Sequence, residues 1–389
     1  MEPGQPRHIL YISRWYPSKA DPMLGLFVRK HAQAAASAGF KISVAYTVPA
    51  LTIKSRDLFS TEIHSGNNLT EVIVCYRPAD GISGVTRQLI AWNLAIKTAV
   101  KQNGRPQLIH AHVLTRVALL AYWYSWRWNV KFMITEHWSR YFAENFQYKG
   151  WLRKLLTRFV VQKAAKITVV SNRLAASMQK QSLGRNFVLL PNVVDTELFN
   201  IAERTAEKPR IVSISCFEEK SKNLKMLIDA FSLLIEEKKE VELVMIGEGA
   251  DLEMIKTYAF DKKLSSESIR FTGMLQGQAL ATELQQASCL ALTSNYETFA
   301  IVAYEAMACG VPVVATDVAD LHDFITRDSG RIVPLGNTIA FADALKEVIE
   351  HPSDFDRAAM RLKVEQQYSF AAVADKLSEL YSIIPEKKL

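Results

Sequence analysis

The chain has 389 residues, of which 49% are hydrophobic, 22% charged and 10% aromatic, so it can hold two to three domains of about 150 residues with sizeable cores. This composition excludes a disordered, collagenous or disulfide-stapled chain. No apolar run reaches the roughly 18 residues of a spanning helix, and the first residues lack the pattern of a signal peptide. The four cysteines are scattered, which is typical of reduced thiols in a cytosolic protein and not of a metal site.

Charge divides the chain into two halves. Residues 1–200 contain 26 basic and 10 acidic residues, whereas residues 201–389 contain 21 and 30. All seven tryptophans also lie in the first half. The change of sign predicts a boundary near residue 200. A basic, Trp-rich half suits an anionic, partly apolar partner such as nucleic acid or a bilayer surface, but a plain basic domain with a Trp-rich core explains the same counts.

Short β-rich runs alternate with stretches of helical period along the whole chain. The predicted strands are residues 8–13, 42–46, 72–76, 108–112, 132–135, 167–170, 210–215, 242–246, 269–272, 289–293 and 311–315. The predicted helices are residues 27–38, 223–237, 252–259, 279–286 and 300–309. This alternation predicts parallel sheets covered on both faces. Because the series runs twice, we expect an α/β protein with two Rossmann-like domains facing across a cleft, which is the default ligand site.

The predicted domains are residues 1–200 and 201–355, with residues 200–209 as the linker, followed by C-terminal helices over 356–389. Those helices have a break near Tyr368, and Ser369 is suited to cap the last one. A stripe of apolar residues lies behind that cap: Val373, Leu377, Leu380 and Tyr381. We expect the C-terminal helices to pack back toward the first domain.

The segment 294–310 is the most informative part of the sequence. Glu297 lies in a loop after a strand, a helix begins near Phe299, and Gly310 ends that helix. Glu305 is the one charge between residues 299 and 309. A helix that is apolar all round is buried, and a buried carboxylate is costly unless it is paired or hydrogen-bonded. Glu305 is therefore either a functional group or a structural cap for neighbouring backbone.

A helix start flanked by two carboxylates suggests a particular ligand. The free N–H groups of Phe299, Ala300 and Ile301 would attract a phosphate. Glu305, about one turn further along, could accept hydrogen bonds from a ribose diol, and Glu297 could reach hydroxyls on the other side of the phosphates. This arrangement suits a ligand built from a sugar, a diphosphate and a nucleoside.

Glu297 and Glu305 form an E-x7-E pattern, and the chain resembles the family 4 retaining glycosyltransferases, which have the GT-B fold. The resemblance covers roughly residues 8–383. Its specific motifs lie in the second half, at residues 190–195, 247–249, 306–316 and 329–334. Weaker ones lie in the first half, at residues 15–17, 25–28, 110–112 and 135–137.

The resemblance implies a role for each matching position. Lys222 would bind the donor pyrophosphate, the backbone of residues 299–301 the phosphates, and Glu305 the ribose. Glu297 would hold hydroxyls of the transferred sugar, with His112 near that sugar from the first domain. Glu297, His112 and Lys222 are thus the candidate catalytic residues.

Gly25, His137 and Gly247 are further substrate-binding candidates. Gly25 would let its loop approach donor or acceptor closely, and His137 lies in a loop like that of His112. Gly247 stands in a strand-to-helix turn, where a two-glycine turn is by itself only a common connection and lacks the third glycine of a dinucleotide fingerprint. An isolated histidine is commonly structural, and this alternative stays open for both histidines.

Two departures from the family pattern concern the donor site. Cys216 stands where the family has an arginine, so one positive charge on the diphosphate is missing unless Lys220 replaces it. Thr298 and Ala300 stand where the family has glycines. These changes put the identity or affinity of the donor in question more than the fold. We find no sequence cluster of metal ligands and expect neither a metal ion nor another cofactor.

Residues 151–166 combine an apolar helical face with several lysines and arginines. This pattern is typical of a peripheral membrane helix and equally of a surface helix packed on a sheet. An acceptor carried on a lipid diphosphate would make a basic, Trp-rich first domain sensible.

The sequence as a whole indicates a metal-independent, retaining glycosyltransferase. It would use a nucleoside-diphosphate sugar and a glycan or lipid-linked acceptor, in cell-surface polysaccharide or glycolipid synthesis, with no nucleic acid partner. We expect a cytoplasmic protein, with contact to the anionic inner face of the cell membrane as an open alternative. A nicotinamide dehydrogenase would need a three-glycine fingerprint that is absent. A nucleotide-sugar epimerase or a non-catalytic sugar-nucleotide binder of the same fold remains an alternative.

Overall fold

The computed structural model describes residues 6–50, 57–114, 116–145, 147–206, 208–237 and 240–384. Parts of three sequence predictions lie outside the described residues. They are residues 1–5, which concern the signal peptide, residue 207 of the predicted linker, and residues 385–389 of the predicted C-terminal helices.

The first sheet is built from strands between residues 8 and 189. In the described part of the chain its eight strands are β1 (His8–Ser13), β2 (Lys41–Pro49), β3 (Phe59–Gly66), β4 (Leu69–Tyr76), β5 (Leu108–His112), β6 (Lys131–Glu136), β7 (Lys166–Val169) and β8 (Val188–Leu189). Their order across the sheet is β3-β4-β2-β1-β5-β6-β7-β8. The helices between them are α1 (Leu26–Ser37), α2 (Gly81–Asn103), α3 (Arg116–Trp128), α4 (Trp151–Lys163) and α5 (Asn172–Lys180).

The second sheet has the strands β9 (Arg210–Ile214), β10 (Glu242–Ile246), β11 (Ile269–Gly273), β12 (Cys289–Leu292), β13 (Val313–Thr316) and β14 (Gly330–Val333), in the order β11-β10-β9-β12-β13-β14. The helices that follow them are α6 (Glu219–Lys222), α7 (Leu224–Glu236), α8 (Leu252–Asp261), α9 (Gly277–Gln285), α10 (Ile301–Ala308), α11 (Leu321–Phe324) and α12 (Thr338–Glu350). The expected architecture of two parallel-sheet α/β domains is confirmed.

The strand pattern differs from the expectation in three places. β3 pairs antiparallel with β4 and is exposed along most of its length, so its polar sequence did not resemble the buried parallel strands. β8 has two residues, and β14 is a short strand that was not predicted. The remaining strands pair in parallel, so their carboxyl ends, where ligands of such sheets bind, meet at one edge of each sheet.

Two further helices, α13 (Arg357–Tyr368) and α14 (Phe370–Ser382), end the described chain. The predicted cap of α14 is confirmed, since the Ser369 hydroxyl accepts a hydrogen bond from the Ala372 N–H. Helix α14 packs against α1. At the same place the Tyr381 hydroxyl hydrogen-bonds to Tyr11 at 2.5 Å and to His110 at 2.9 Å. These contacts tie the end of the chain to the core of the first sheet.

Candidate functional site

An open cavity lies between the two sheets. Residues from the first half of the chain form one wall: Trp15, His137, Trp138, Ser139, Asn145 and Gln147. The opposite wall comes from the second half: Cys216, Glu218, Ser221, Lys222, Tyr296, Glu297 and Thr298. The two walls together offer aromatic, charged and polar groups to a ligand.

Two of the predicted catalytic residues form an ion pair in this wall. Lys222, the last residue of α6, donates a hydrogen bond to Glu297 in the loop between β12 and α10, and the Ser294 hydroxyl donates a second one at 2.9 Å. The side chains of Lys222 and Glu297 are only 20% and 15% exposed. Burial alone would lower the pKa of Lys222, but the adjacent carboxylate of Glu297 outweighs it and the pKa is raised. Lys222 therefore stays charged and is already engaged by an anion.

Helix α10 begins at Ile301, later than the sequence indicated, because Ala300 is in the left-handed region with φ 59°. This conformation costs roughly 1–2 kcal/mol for a residue with a Cβ. The first helical turn is closed by the hydrogen bond from the Ala303 N–H to the Ala300 carbonyl. Phe299 is buried against the ring of Tyr304, with 4.8 Å between the ring centroids, so its side chain packs in the core and only its backbone can serve a ligand.

Glu305 has a basic partner that the sequence did not reveal. Its carboxylate lies 3.6 Å from the ammonium of Lys30, on α1, and the two side chains are 9% and 12% exposed. Burial raises the pKa of Glu305, and the charge of Lys30 opposes that rise. This ion pair joins the helix of the second sheet that carries Glu305 to the first helix of the first sheet.

The two predicted histidines lie one behind the other. His112 ends β5 and is fully buried, while His137 follows β6 and lines the cavity. Nδ1 of His112 and Nε2 of His137 are hydrogen-bonded at 3.2 Å. Burial lowers the pKa of both far below the usual value, so both rings are neutral. In this conformation His137, rather than His112, faces the cavity.

A third histidine completes a buried cluster. One ring nitrogen of each of His31, His112 and His137 lies within 4.8 Å of the others, a grouping that could hold a metal ion. No sequence motif marks this cluster, because its residues lie on α1, β5 and the loop after β6, far apart in the chain. Nε2 of His31 bonds the Pro191 carbonyl at 2.8 Å. Its Nδ1, like Nε2 of His112, has no hydrogen-bond partner among the described residues.

Glu136 holds the loops that follow β5 and β6, a role that the sequence motifs did not indicate. Its carboxylate accepts hydrogen bonds from the backbone N–H groups of Leu114, His137 and Trp138 at 2.7–2.9 Å and from the Tyr141 hydroxyl at 3.0 Å. Burial raises its pKa against the opposing effect of the backbone donors. Its position directly before His137 was the available signal.

The two predicted glycines give room to neighbouring backbone. Gly25 has φ 72°, and a Cβ there would lie 2.4 Å from the carbonyl group of Trp15. Gly247 has φ 128°, and a Cβ there would lie 1.9 Å from the Ser215 carbonyl oxygen. Gly25 thus allows the cavity-lining loop of Trp15 to fold over α1. Gly247 allows the turn after β10 to lie against the loop that carries Cys216.

Cys216 and Lys220 occupy different places. Cys216 is exposed and lines the cavity beside Lys222. Lys220 is exposed on α6, outside the residues that line the cavity, and its carbonyl accepts a hydrogen bond from the Asn295 amide at 3.0 Å. The structure therefore brings Cys216, Lys222 and Glu297 together and leaves the Lys220 side chain outside.

Comparison with known protein families accounts for both halves of the chain. Residues 24–198 match the model of Glycosyltransferase Family 4, and residues 194–366 match that of Glycosyl transferases group 1. The chain belongs to the GT-B glycosyltransferases and is similar to family 4. The family resemblance that the motifs indicated is confirmed at this level.

Relatives of this glycosyltransferase include enzymes named for inositol compounds. The chain is 28% identical over 244 residues to the phosphatidyl-myo-inositol mannosyltransferase of Mycobacterium leprae, a match that spans 61% of each chain. It is 24% identical over 402 residues to the D-inositol 3-phosphate glycosyltransferase of Corynebacterium urealyticum, which covers 93% of this chain and 91% of the relative.

Solved structures share the fold over nearly the whole chain. Sucrose-phosphate synthase from Thermosynechococcus elongatus superposes with a TM-score of 0.78 at 20% identity, covering 97% of this chain and 98% of that one. HepE of Anabaena, solved in complex with UDP and glucose, superposes with a TM-score of 0.72 at 15% identity, covering 96% and 99%. At these identities the likeness concerns the fold alone.

Proposed function

We propose that this chain transfers a sugar from a nucleoside-diphosphate donor to a hydroxyl of a glycan or lipid-linked acceptor, with retention of the anomeric configuration and without a metal ion. The observation that carries the proposal is the Lys222–Glu297 ion pair in the wall of the interdomain cavity. A buried cation at this place suits a ligand that brings its own negative charge.

Donor binding begins with an exchange of anions. The diphosphate takes the place of the Glu297 carboxylate on Lys222, and the backbone of residues 299–301 at the start of α10 binds the phosphates. Glu297, released from the ammonium, accepts hydrogen bonds from hydroxyls of the transferred sugar. The Ser294 hydroxyl keeps the Glu297 carboxylate oriented. Glu305, next to Lys30, accepts hydrogen bonds from the ribose hydroxyls.

Transfer then requires stabilisation of the leaving diphosphate. As the bond between the anomeric carbon and the phosphate oxygen breaks, Lys222 and the helix start offset the growing negative charge. The acceptor oxygen forms its bond to the anomeric carbon on the same face, and its proton passes to a phosphate oxygen. His137, with His112 behind it, lies on the first-domain side of the sugar as a neutral polar group.

The acceptor is bound by residues 1–200 and the donor by residues 201–355. Trp15 and Trp138 support this division, because they line the cavity wall opposite Lys222 and meet edge to face with 4.9 Å between ring centroids. Aromatic rings offer an apolar face to sugar rings. A relative named as a phosphatidyl-myo-inositol mannosyltransferase favours a lipid-linked acceptor and a glycolipid product.

A thermal-shift screen against UDP-, GDP- and ADP-sugars tests the donor site. A ligand present at about 100 times its Kd adds about 2.7 kcal/mol to the stability of the folded state, which is easily measured. Product analysis by NMR with the stabilising donor then gives the anomeric configuration, which should be that of the donor.

The alternatives give different results in the same experiment. Isomerisation of the donor in the absence of any acceptor would identify an epimerase. Donor binding without transfer to glycan or lipid acceptors would identify a binding protein. Failure to bind any of the three nucleotide sugars would overturn the proposal.

A further inference from the structure

Helix α4 packs on the protein through its polar and β-branched residues and turns its apolar side to solvent. Its buried residues are Thr157, Val160 and Val161. The outward residues form what we name the apolar stripe: Trp151, Leu152, Leu155, Leu156 and Phe159, with exposed fractions of 77%, 52%, 57%, 37% and 37%. Single exposed apolar side chains are common, but a contiguous set marks an interaction surface.

Helical geometry shows that this exposure is built into the fold. At about 100° per residue, Leu155 and Thr157 lie about 200° apart around the helix. The apolar stripe is therefore nearly opposite the face that carries the buried residues. Of the apolar face identified in residues 151–166, Leu152, Leu155, Leu156 and Phe159 are thus exposed, whereas Val160 is buried.

The neighbouring helix α3 supports and extends the stripe. Tyr122 on α3 contacts Phe159 edge to face, with 5.1 Å between ring centroids. One turn further along α3, Trp126 is 70% exposed. Helix α4 is thus held in place by a second helix that presents another large aromatic side chain nearby.

Charge around the stripe selects the partner. Residues 145–194 contain nine lysines and arginines and no acidic residue. Four of the nine lie on α4 itself: Arg153, Lys154, Arg158 and Lys163. Arg158 lies at the edge of the stripe. Two copies of so basic a surface would repel one another, whereas an apolar stripe on a basic surface matches the acyl and headgroup layers of an anionic bilayer.

We propose that helix α4 lies in the surface of an anionic lipid bilayer, with its apolar stripe inserted and its basic residues at the headgroups. No helix in the described ranges is long and apolar enough to cross a membrane, so contact takes place at the surface. The stripe begins at Trp151, four residues after the cavity-lining Gln147, which is at most about 14 Å of chain. The part of the cavity wall that Gln147 forms is therefore close to the lipid.

Flotation of the full chain with vesicles tests this proposal and needs no enzymatic activity, so it is independent of the proposed reaction. We expect the protein to float with phosphatidylcholine vesicles that contain about one third phosphatidylglycerol, to float poorly with phosphatidylcholine alone, and to be released by salt. The double variant Trp151→Glu, Leu155→Glu should lose flotation. The matched control is Phe260→Glu, at a 79% exposed residue of α8, and it should float like the wild type.

The charged residues provide a graded second readout. Arg158→Gln should weaken vesicle binding about fivefold, with the thermal stability of the chain unchanged. Equal flotation of wild type and the double variant, or no flotation with anionic vesicles, would overturn the proposal. A dimer in solution that the double variant dissociates, without vesicle binding, would assign the stripe to a second copy of the chain instead.

Discussion

The ammonium of Lys30 on α1 lies 3.6 Å from the carboxylate of Glu305 on α10, so the first helix of one sheet contacts the proposed ribose site of the other. Lys222 and Glu297 form a second ion pair, in the wall of the cavity between the two sheets. Each of the two glutamates proposed to bind the donor is thus paired with a lysine. Under the proposed mechanism, donor binding must displace or rearrange these ion pairs, and the change in affinity when they are removed can be measured.

Removing the charge of Glu297 should have opposite effects on binding and transfer. Glu297→Gln frees Lys222 from its competing anion, so affinity for a bare nucleoside diphosphate should rise several-fold, while transfer should fall because the sugar hydroxyls lose their acceptor. Lys222→Ala should weaken diphosphate binding by about tenfold or more. Titration calorimetry measures the affinity of both variants for the diphosphate.

The matched control for Lys222→Ala is Lys256→Ala, which removes a lysine paired with a glutamate on the surface of α8 and should bind like the wild type. Weaker diphosphate binding in Glu297→Gln would contradict the exchange of anions.

Lys30 should set the acid limit of donor binding. Burial raises the pKa of Glu305 and Lys30 lowers it, and the carboxylate must be ionised to accept two ribose hydroxyls. Affinity should therefore fall as the pH drops through this pKa. In Lys30→Met the pKa rises further, so the fall should begin at a higher pH.

The donor Kd measured across the acidic range tests this, with Lys97→Met at an exposed position of α2 as the control. An unchanged pH profile in Lys30→Met would separate Lys30 from the donor site.

Gly25→Ala should be more disruptive than substitution at another left-handed glycine. A Cβ at residue 25 meets the Trp15 carbonyl group at 2.4 Å, whereas one at Gly39, with φ 89°, has no heavy atom within 4 Å. Gly39→Ala therefore costs roughly the 1–2 kcal/mol of the conformation itself, and Gly25→Ala adds a backbone clash. Thermal unfolding should show the larger fall in Tm for Gly25→Ala, and equal falls would contradict the packing described.

Stability should decrease in mild acid because several histidines are buried without charge. Burial lowers the pKa of His31 from 6.5 to about 4. The unfolded chain binds a proton below pH 6.5 that the folded chain does not take up until about pH 4, so stability is lost as the pH falls through this window. At pH 5.5 this histidine lowers the free energy of unfolding by about 1.4 kcal/mol relative to neutral pH.

In His31→Gln the difference in unfolding free energy between pH 7.5 and pH 5.5 should shrink by about that amount, whatever the variant's stability at neutral pH. Denaturant unfolding at the two pH values measures this difference. The same difference in the wild type and the variant would show that His31 is not buried as a neutral ring.

The cluster of His31, His112 and His137 allows a direct test of metal independence. We expect transfer to continue in the presence of EDTA, because the proposed mechanism uses Lys222 and the start of α10 in place of a metal ion. Elemental analysis of the purified protein should show much less than one transition-metal ion per chain. Stoichiometric metal that is lost in His31→Ala would contradict this and would make the cluster a metal centre.

How much the sequence predicts depends on whether the deciding contact is local. The alternating parallel strands follow from local periodicity, and so does the cap at Ser369. The exposed strand β3 lacks the apolar pattern from which the buried strands are predicted. Lys30 and His31 could not be assigned, because their partners lie on other strands and helices. Trp151 and Leu155 read equally well as buried or exposed, and only the packing of Thr157, Val160 and Val161 decides between them.

The most direct test of the account is a crystal structure with a nucleoside diphosphate bound. We predict that the diphosphate lies within hydrogen-bonding distance of Lys222, against the start of α10, with the Glu297 carboxylate moved off the ammonium and the ribose at Glu305. A diphosphate bound elsewhere, with the Lys222–Glu297 ion pair intact, would contradict the central claim.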